Sequence, residues 1–267
     1  MSIAAGCDVG SLTTKVVIMQ HRRVAASAVV RSGPKPGDSA RKAMEAALAA
    51  WGRPADEIAY CVGTGYGREK IAFVDESRSE ISCHGKGARF LMPSVRSVID
   101  IGGQDCKVIK LDAGGNLVKF VTNDKCASGT GRFLDVMARI MDMPVSRLAE
   151  LSLKSRDPVK LASMCTVWAQ ADVIKHINSR RPAEDICAGI NTAIANRVAM
   201  LANAMQLEND ICMSGGVAKN SGVVQALARI TGRRIKTIRR VDPQLTGAVG
   251  AALFALEKAG PKKEVRS

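Results

Sequence analysis

Twice in this chain an apolar, strand-like run ends in Asp-x-Gly and then doubles back. The first copy is Asp8-Val9-Gly10-Ser11, inside the stretch Ile3 to Met19. The second is Asp100-Ile101-Gly102-Gly103, where the run Ser97 to Ile101 turns and Cys106 to Leu111 returns. Each reads as strand, tight glycine turn and return strand, with helices later. In the first half a third strand is expected at Val24 to Val30. A loop Ser32 to Gly37 follows, then a helix capped by Asp38 and running to about Ala50, a strand Ile58 to Gly63, and a helix Ser82 to Leu91 stopped by Pro93. In the second half Asp112 to Asn116 is a hairpin turn and Leu117 to Thr122 a strand. From Gly129 the apolar period becomes helical, with Phe133, Leu134, Met137, Ile140 and Met141 on one face, and Pro144 is expected to end that helix. Helices at Thr166–Asn178 and Ala183–Gln206 come next. A strand at Asp210 to Met213 enters Ser214-Gly215-Gly216, with a helix after it. A last strand is read at Arg234 to Ile238, and Gln244 to Leu256 is an Ala-rich closing helix. The expectation is an α/β protein built from a duplicated unit. Lobe I is residues 1–96 with the C-terminal segment 244–267, and lobe II is residues 97–243.

Both turns suit a nucleotide phosphate. Glycine lets backbone N–H groups approach an anion closely, and successive N–H groups form a nest for it. Gly10 and Gly102-Gly103 supply that backbone. Ser11, Thr13 and Thr14 add hydroxyl donors, and Lys15 adds a compact positive charge. An aspartate at each strand end, Asp8 and Asp100, can hold Mg²⁺ directly or through water. A third glycine turn, Gly215-Gly216, is expected to open a helix whose N-terminus favours ribose or phosphate. Competing nucleotide and hydrolase motifs (G-x-x-x-x-G-K-[ST], a helix-opening G-x-G-x-x-G, H-E-x-x-H, G-x-S-x-G) are absent from the sequence.

The chain has 267 residues, 46% of them hydrophobic and 24% charged, so a substantial core is expected and wholesale disorder is excluded. The longest uncharged run, Pro243 to Leu256, falls short of the ~20 residues a membrane helix needs. The opening MSIAAGCDVG lacks a basic leader, so a cytoplasmic protein with no membrane partner is expected. The net charge of +14 raises nucleic acid as a partner. Only nine aromatics occur and no stacking motif is present, which argues against it. Arg233, Arg234, Lys236, Arg239 and Arg240 form a dense basic stretch suited to an acidic protein partner. Cys7, Cys61, Cys83, Cys106, Cys187 and Cys212 fall mostly within strands and helices and read as packing residues. Cys126, just before the Gly129–Gly131 turn, and Cys165, just before the helix at Thr166, differ in context. A helix N-terminus lowers a thiol's pKa, so both positions suit a thiolate ligand.

The three glycine turns together resemble the acetate kinase/sugar kinase/Hsp70/actin superfamily. Finer motifs resemble one branch of it, the BadF/BadG/BcrA/BcrD ATPases. These are Thr64-Gly65-Tyr66-Gly67-Arg68, Asp100-Ile101-Gly102-Gly103-Gln104-Asp105, the run Asn123-Asp124-Lys125-Cys126-Ala127-Ser128-Gly129-Thr130-Gly131-Arg132-Phe133-Leu134, Cys165-Thr166-Val167 and Met213-Ser214-Gly215-Gly216-Val217-Ala218-Lys219-Asn220. The resemblance covers nearly the whole chain and is strongest to the activators of 2-hydroxyacyl-CoA dehydratases. It implies a two-lobed actin/Hsp70-like ATPase fold with duplicated βββαβα lobes and the nucleotide cleft between them. It further implies ATP/ADP and Mg²⁺ as ligands, and a homodimer with one [4Fe–4S] cluster shared by Cys126 and Cys165 of each chain. Two thiolates per chain are half of the four a cubane takes, and a twofold axis supplies the rest. The implied activity is ATP-driven electron transfer. A ferredoxin or flavodoxin would be the donor, and an iron–sulfur dehydratase or reductase the acceptor. On that reading Asp8 and Asp100 serve the metal, and Gln104 or Asp105 orients the attacking water. Two other readings are an ATPase subunit of a benzoyl-CoA reductase-type complex and a sugar or acyl kinase of the same fold without a cluster.

Overall fold

The structure, a computed structural model, describes residues 2–123, 126–162 and 165–259. The described chain divides into two units. Unit 1 is made of the described residues of Met1–Ser94, Leu111–Leu117 and Ile238–Ser267, and unit 2 of those of Val95–Lys110 and Val118–Thr237.

Unit 1 is built on a five-stranded sheet of β1 (Ile3–Val9), β2 (Thr13–Gln20), β3 (Arg23–Arg31), β4 (Tyr60–Thr64) and β5 (Glu76–Ser77), in the order β3-β2-β1-β4-β5. β1 to β3 form an antiparallel meander, and β4 and β5 add parallel to β1. β1 lies at the centre and is buried along its whole length, which is why its sequence is apolar without alternation. Its two faces meet different helices. Ile3, Ala5, Cys7 and Val9 pack with Ala40, Ala43 and Ala47 of α1 (Pro36–Trp51). Ala4 packs with Ala251 and Ala255 of α8 (Thr246–Lys258), which also meets α2 (Glu80–Leu91). The helix α1 begins one turn earlier than expected. Pro36 occupies its first position, where a missing N–H costs nothing, and Asp38 sits in the first turn beside the positive helix end instead of capping it.

Unit 2 repeats the plan. β6 (Ser97–Ile101), β7 (Cys106–Leu111), β8 (Leu117–Asn123), β9 (Ile211–Ser214) and β10 (Ile235–Thr237) stand in the order β10-β9-β6-β7-β8. β6 pairs antiparallel with β7 and parallel with β9. Position for position this is the unit 1 sheet, with β6 in the place of β1. Its helices are α3 (Gly131–Ile140), α4 (Val145–Ser152), α5 (Thr166–Asn178), α6 (Ala183–Ala204) and α7 (Ser221–Thr231). Their core joins Ile99 and Ile101 of the sheet to Phe133, Leu134, Met137, Ile186, Ile190 and Ile194.

Two expectations are corrected here. Pro144 does not end a helix. The first helix stops at Ile140, and Pro144 stands at the N-cap of α4, an element the periodicity did not separate. Gly215-Gly216 does not open an α-helix either. Gly216–Lys219 is a short 3₁₀ turn, and α7 starts at Ser221, where the Asn220 side chain caps it by accepting from the Val223 N–H. Among the described residues no helix is long and apolar enough to cross a membrane.

Candidate functional site

In unit 1, Asp8 comes near the end of β1, and the β1–β2 register sets it directly opposite Lys15. Lys15 Nζ donates to Asp8 Oδ2 at 3.2 Å. Asp8 is 1% exposed, and its Oδ1 is buried without a hydrogen-bond partner. A buried carboxylate oxygen in that state is a natural cation or water ligand, so the aspartate fits Mg²⁺. Glycine wraps this carboxylate. A Cβ on Gly65, which has φ +87°, would stand 2.5 Å from Oδ1, and one on Gly247 would stand 2.8 Å from both Oδ2 and His84 Nε2. Gly10 closes the turn by donating its N–H to the Thr13 carbonyl at 3.1 Å. Ser11 is exposed at the tip, and the Thr13 hydroxyl donates to Gln244 Oε1 at 3.4 Å. Thr14 has a different place from the one expected. It is fully buried, its hydroxyl pairs with Ser32 Oγ at 2.9 Å, and Ser32 in turn donates to the Gly10 carbonyl at 2.7 Å. Thr14 braces the turn from behind.

Unit 2 builds the same turn. Gly102 donates its N–H to the Asp105 carbonyl at 2.9 Å, as Gly10 does to Thr13. Asp100 is paired in register with Lys107, as Asp8 is with Lys15. Ser214 Oγ donates to Asp100 Oδ1 at 2.7 Å, and Lys107 Nζ lies 3.6 Å from Oδ2 while it pairs with Asp105. The Asp105 carboxylate folds over the turn, 2.5 Å from where a Cβ on Gly102 would be. Of the two residues considered for orienting water, Gln104 is therefore the exposed one, and Asp105 is held by Lys107. Gly215, at φ +82°, lies against the Ile101 carbonyl, and Gly216 begins the 3₁₀ turn. The carbonyls of Gly102 and Gly103 accept the N–H groups of Gly131 and Arg132, each at 2.8 Å, which fixes the start of α3 to this turn.

Reading the sequence did not single out Lys107 or Gly247, and it quoted Gly65 only as part of a motif. For Lys107 the signal is present. DVGSLTTK and DIGGQDCK put a lysine at the same interval after each aspartate. A register that pairs Asp8 with Lys15 across a hairpin must pair Asp100 with Lys107.

The eight cysteines separate sharply. Six are buried, and burial pushes their thiols up: Cys61, Cys83 and Cys212 to about 12, Cys187 to about 11, and Cys7 and Cys106 higher than the ordinary thiol as well. Cys126 is half-buried and Cys165 exposed. The Cys126 thiol is held below the ordinary value, first by a hydrogen bond from the Ser128 side chain, then by the Ser128 backbone and the charge of Arg197. That cause differs from the helix terminus expected, since α3 starts only at Gly131. Cys165 is itself the N-cap of α5, and its carbonyl accepts the Ala169 N–H at 2.9 Å. The residues Asp124 and Lys125, part of the motif around Cys126, lie outside the described residues. Among the described residues no three His, Cys, Asp or Glu side chains converge as a metal site. Cys126 and Cys165 are the two thiols that are not buried.

The BadF/BadG/BcrA/BcrD ATPase family matches residues 5–255. A 2-hydroxyisocaproyl-CoA dehydratase activator from Clostridioides difficile is 44% identical over 264 residues, 98% of each chain. An (R)-2-hydroxyglutaryl-CoA dehydratase activating ATPase from Acidaminococcus fermentans is also 44% identical, over 95% of this chain and 97% of the relative. The solved structure of the activator of the 2-hydroxyisocaproyl-CoA dehydratase from Clostridium difficile with bound ADPNP superimposes with a TM-score of 0.93 at 43% identity, covering 96% of this chain and 95% of that one. In fold alone, a ROK-family glucokinase from Streptomyces griseus matches at 13% identity, with a TM-score of 0.58 over 96% of this chain and 100% of that one. The two mixed five-stranded sheets with their helices are those of the actin/Hsp70 type of ATPase.

Proposed function

The chain belongs to the BadF/BadG/BcrA/BcrD ATPase family, and from that premise we propose that it is an ATP-driven electron-transfer activator. It works as a homodimer that shares one [4Fe–4S] cluster. A reduced ferredoxin or flavodoxin supplies the electron, and an iron–sulfur enzyme of the 2-hydroxyacyl-CoA dehydratase type receives it. The observation that carries the reading is the contrast among the cysteines. Six thiols are buried and pushed toward the protonated form, whereas Cys126 and Cys165 are accessible and stand ahead of two helices that pack on each other. Thiolate ligands must be deprotonated, and accessible thiols are the ones able to bind metal.

Cys126 and Cys165 would hold the cluster together with the same two residues of a second copy, which completes four ligands. Bound there, it supplies a one-electron carrier of low potential. The helix α5, which follows Cys165, presents Val167 and Trp168 at 67% exposure each, with Ile174 and Ile177 further along. An apolar surface beside the cluster ligands suits the dimer contact.

Each turn would bind nucleotide phosphate or ribose. Backbone N–H groups at Gly10, Gly102, Gly103, Gly215 and Gly216, the Ser11 and Thr13 hydroxyls and Lys15 bind phosphate or ribose. Asp8 and Asp100 serve Mg²⁺, and exposed Gln104 orients the attacking water. Lys15 and Lys107 keep the two aspartates neutralised between turnovers. Nucleotide drives the transfer only if it binds two arrangements of the protein with different affinity.

The test is to purify the chain without oxygen and measure iron, acid-labile sulfide and mass in solution. About four iron and four sulfide per dimer support the reading. A monomer that takes up no iron on reconstitution overturns it and leaves an ATPase or kinase of the same fold.

A further inference from the structure

Ser128 follows Cys126 by two residues, in the loop ahead of α3, and its side chain turns inward. The residue is 4% exposed, and its Oγ lies 3.0 Å from Cys126 Sγ. The loop that delivers it is fixed by its own hydrogen bonds. Asn123 Nδ2 donates to the carbonyls of Cys126 at 3.1 Å and Ser128 at 3.4 Å. The Thr130 hydroxyl and N–H both donate to the Ala127 carbonyl, at 2.7 and 3.1 Å. Gly129, at φ +94°, makes room for Arg197 of α6, whose Cγ lies 2.8 Å from where a Cβ would stand. The Arg197 Nε is buried without a hydrogen-bond partner.

We propose that Ser128 is a positioning residue for Cys126, donating its hydroxyl proton to the sulfur once that sulfur is an iron-bound thiolate, and so raising the reduction potential of the cluster. The inference rests on the cluster reading above. An iron-bound thiolate has no proton to give, so the hydroxyl must be the donor. A hydrogen bond to a ligand sulfur draws electron density from it and favours the electron-rich reduced form. The side chain's burial matters here: a hydroxyl shielded from water cannot exchange its partner for solvent.

The experiment compares anaerobically prepared wild-type dimer with S128A and S128T, by iron content and by redox titration followed by electron paramagnetic resonance. S128A is expected to keep its iron and to shift the couple toward the oxidised form by up to about tenfold, about 59 mV for one electron. S128T, which keeps the hydroxyl, is expected to restore the wild-type value. Iron lost from S128A but kept by S128T would equally support a need for the hydroxyl. An unchanged potential in iron-replete S128A, or iron lost from both variants, overturns the inference and leaves the cluster reading standing. Wild-type protein without iron overturns both, and iron analysis of the wild type alone tells the cases apart.

Discussion

Gly250→Ala should be among the most damaging single-methyl additions to unit 1. The Cβ it creates would stand 1.8 Å from the Cys83 carbonyl oxygen, 2.6 Å from the Cys83 carbonyl carbon and 2.9 Å from the Cys83 Cα. All three are backbone atoms of α2, so no rotamer change relieves the contact. Carbon and oxygen ordinarily approach to about 3.3 Å, so α8 and α2 must separate by roughly 1.5 Å. In an exposed helix Gly→Ala would gain about 1 kcal/mol. Here overpacking costs about 1–3 kcal/mol and more where backbone must move. The separation also loosens Ala251 and Ala255 from Ala4 and Val62. The expected net loss is about 2 kcal/mol or more, a drop in Tm of roughly 5 °C or more for a chain this long. Gly33→Ala is the control, because its nearest neighbour is 3.8 Å away and its φ is ordinary, and it should fall within about 0.5 kcal/mol of wild type. Calorimetry of the three proteins checks the ranking. A Gly250→Ala protein as stable as wild type would refute the claim that α2 and α8 touch backbone to backbone.

Lys107→Met leaves two carboxylates without their shared cation, and should cost about 3 kcal/mol in urea unfolding, partly recovered by adding Asp105→Asn. In the folded protein freed of its cluster, iodoacetamide at pH 8 should label Cys126 and Cys165 and spare the six buried cysteines, as mass spectrometry of the peptides would read. The same six thiols set an alkaline limit. Their folded values lie above the unfolded value of 9.0, so the stability they contribute is complete below pH 9 and is lost as pH rises toward 12; thermal melts across that range should show a steady fall. If the basic stretch around Arg234 and Arg239 docks an acidic partner, the activation rate should fall steeply with added salt, and a flat rate up to high ionic strength would remove that surface from the mechanism.

Legibility in the sequence followed the range of the interactions involved. Both hairpins were readable because a glycine turn between apolar runs is local chemistry. The limits of α5 were readable because Thr166 and Asn178 bound a single helical period. Pro144 misled because proline suits a helix start as well as a helix end, and only the packing of α4 on α6 and α7 decides between them. Gly215-Gly216 misled because the Asn220 cap that starts α7 lies beyond the glycines. The two-residue strand β5 offers no pattern to find. At the turns the aspartates and glycines stood out, whereas Gly247 comes to Asp8 from a distant part of unit 1 and carries no local mark. Lys107 was written in the repeat and needed only the register to be seen.

The joint between the second turn and α3 contains no side chain. It consists of two peptide N–H groups and two peptide carbonyls, from Gly131 and Arg132 to Gly102 and Gly103. Replacing the Arg132 side chain by alanine therefore leaves both hydrogen bonds in place, whereas a methyl on Gly102 would meet the Asp105 carboxylate and one on Gly131 the Gly102 carbonyl. The segment ahead of α3 carries Cys126, so backbone alone runs from the turn to that thiol. Proline at position 131 or 132 would remove one of the two bonds outright, because it brings no amide hydrogen.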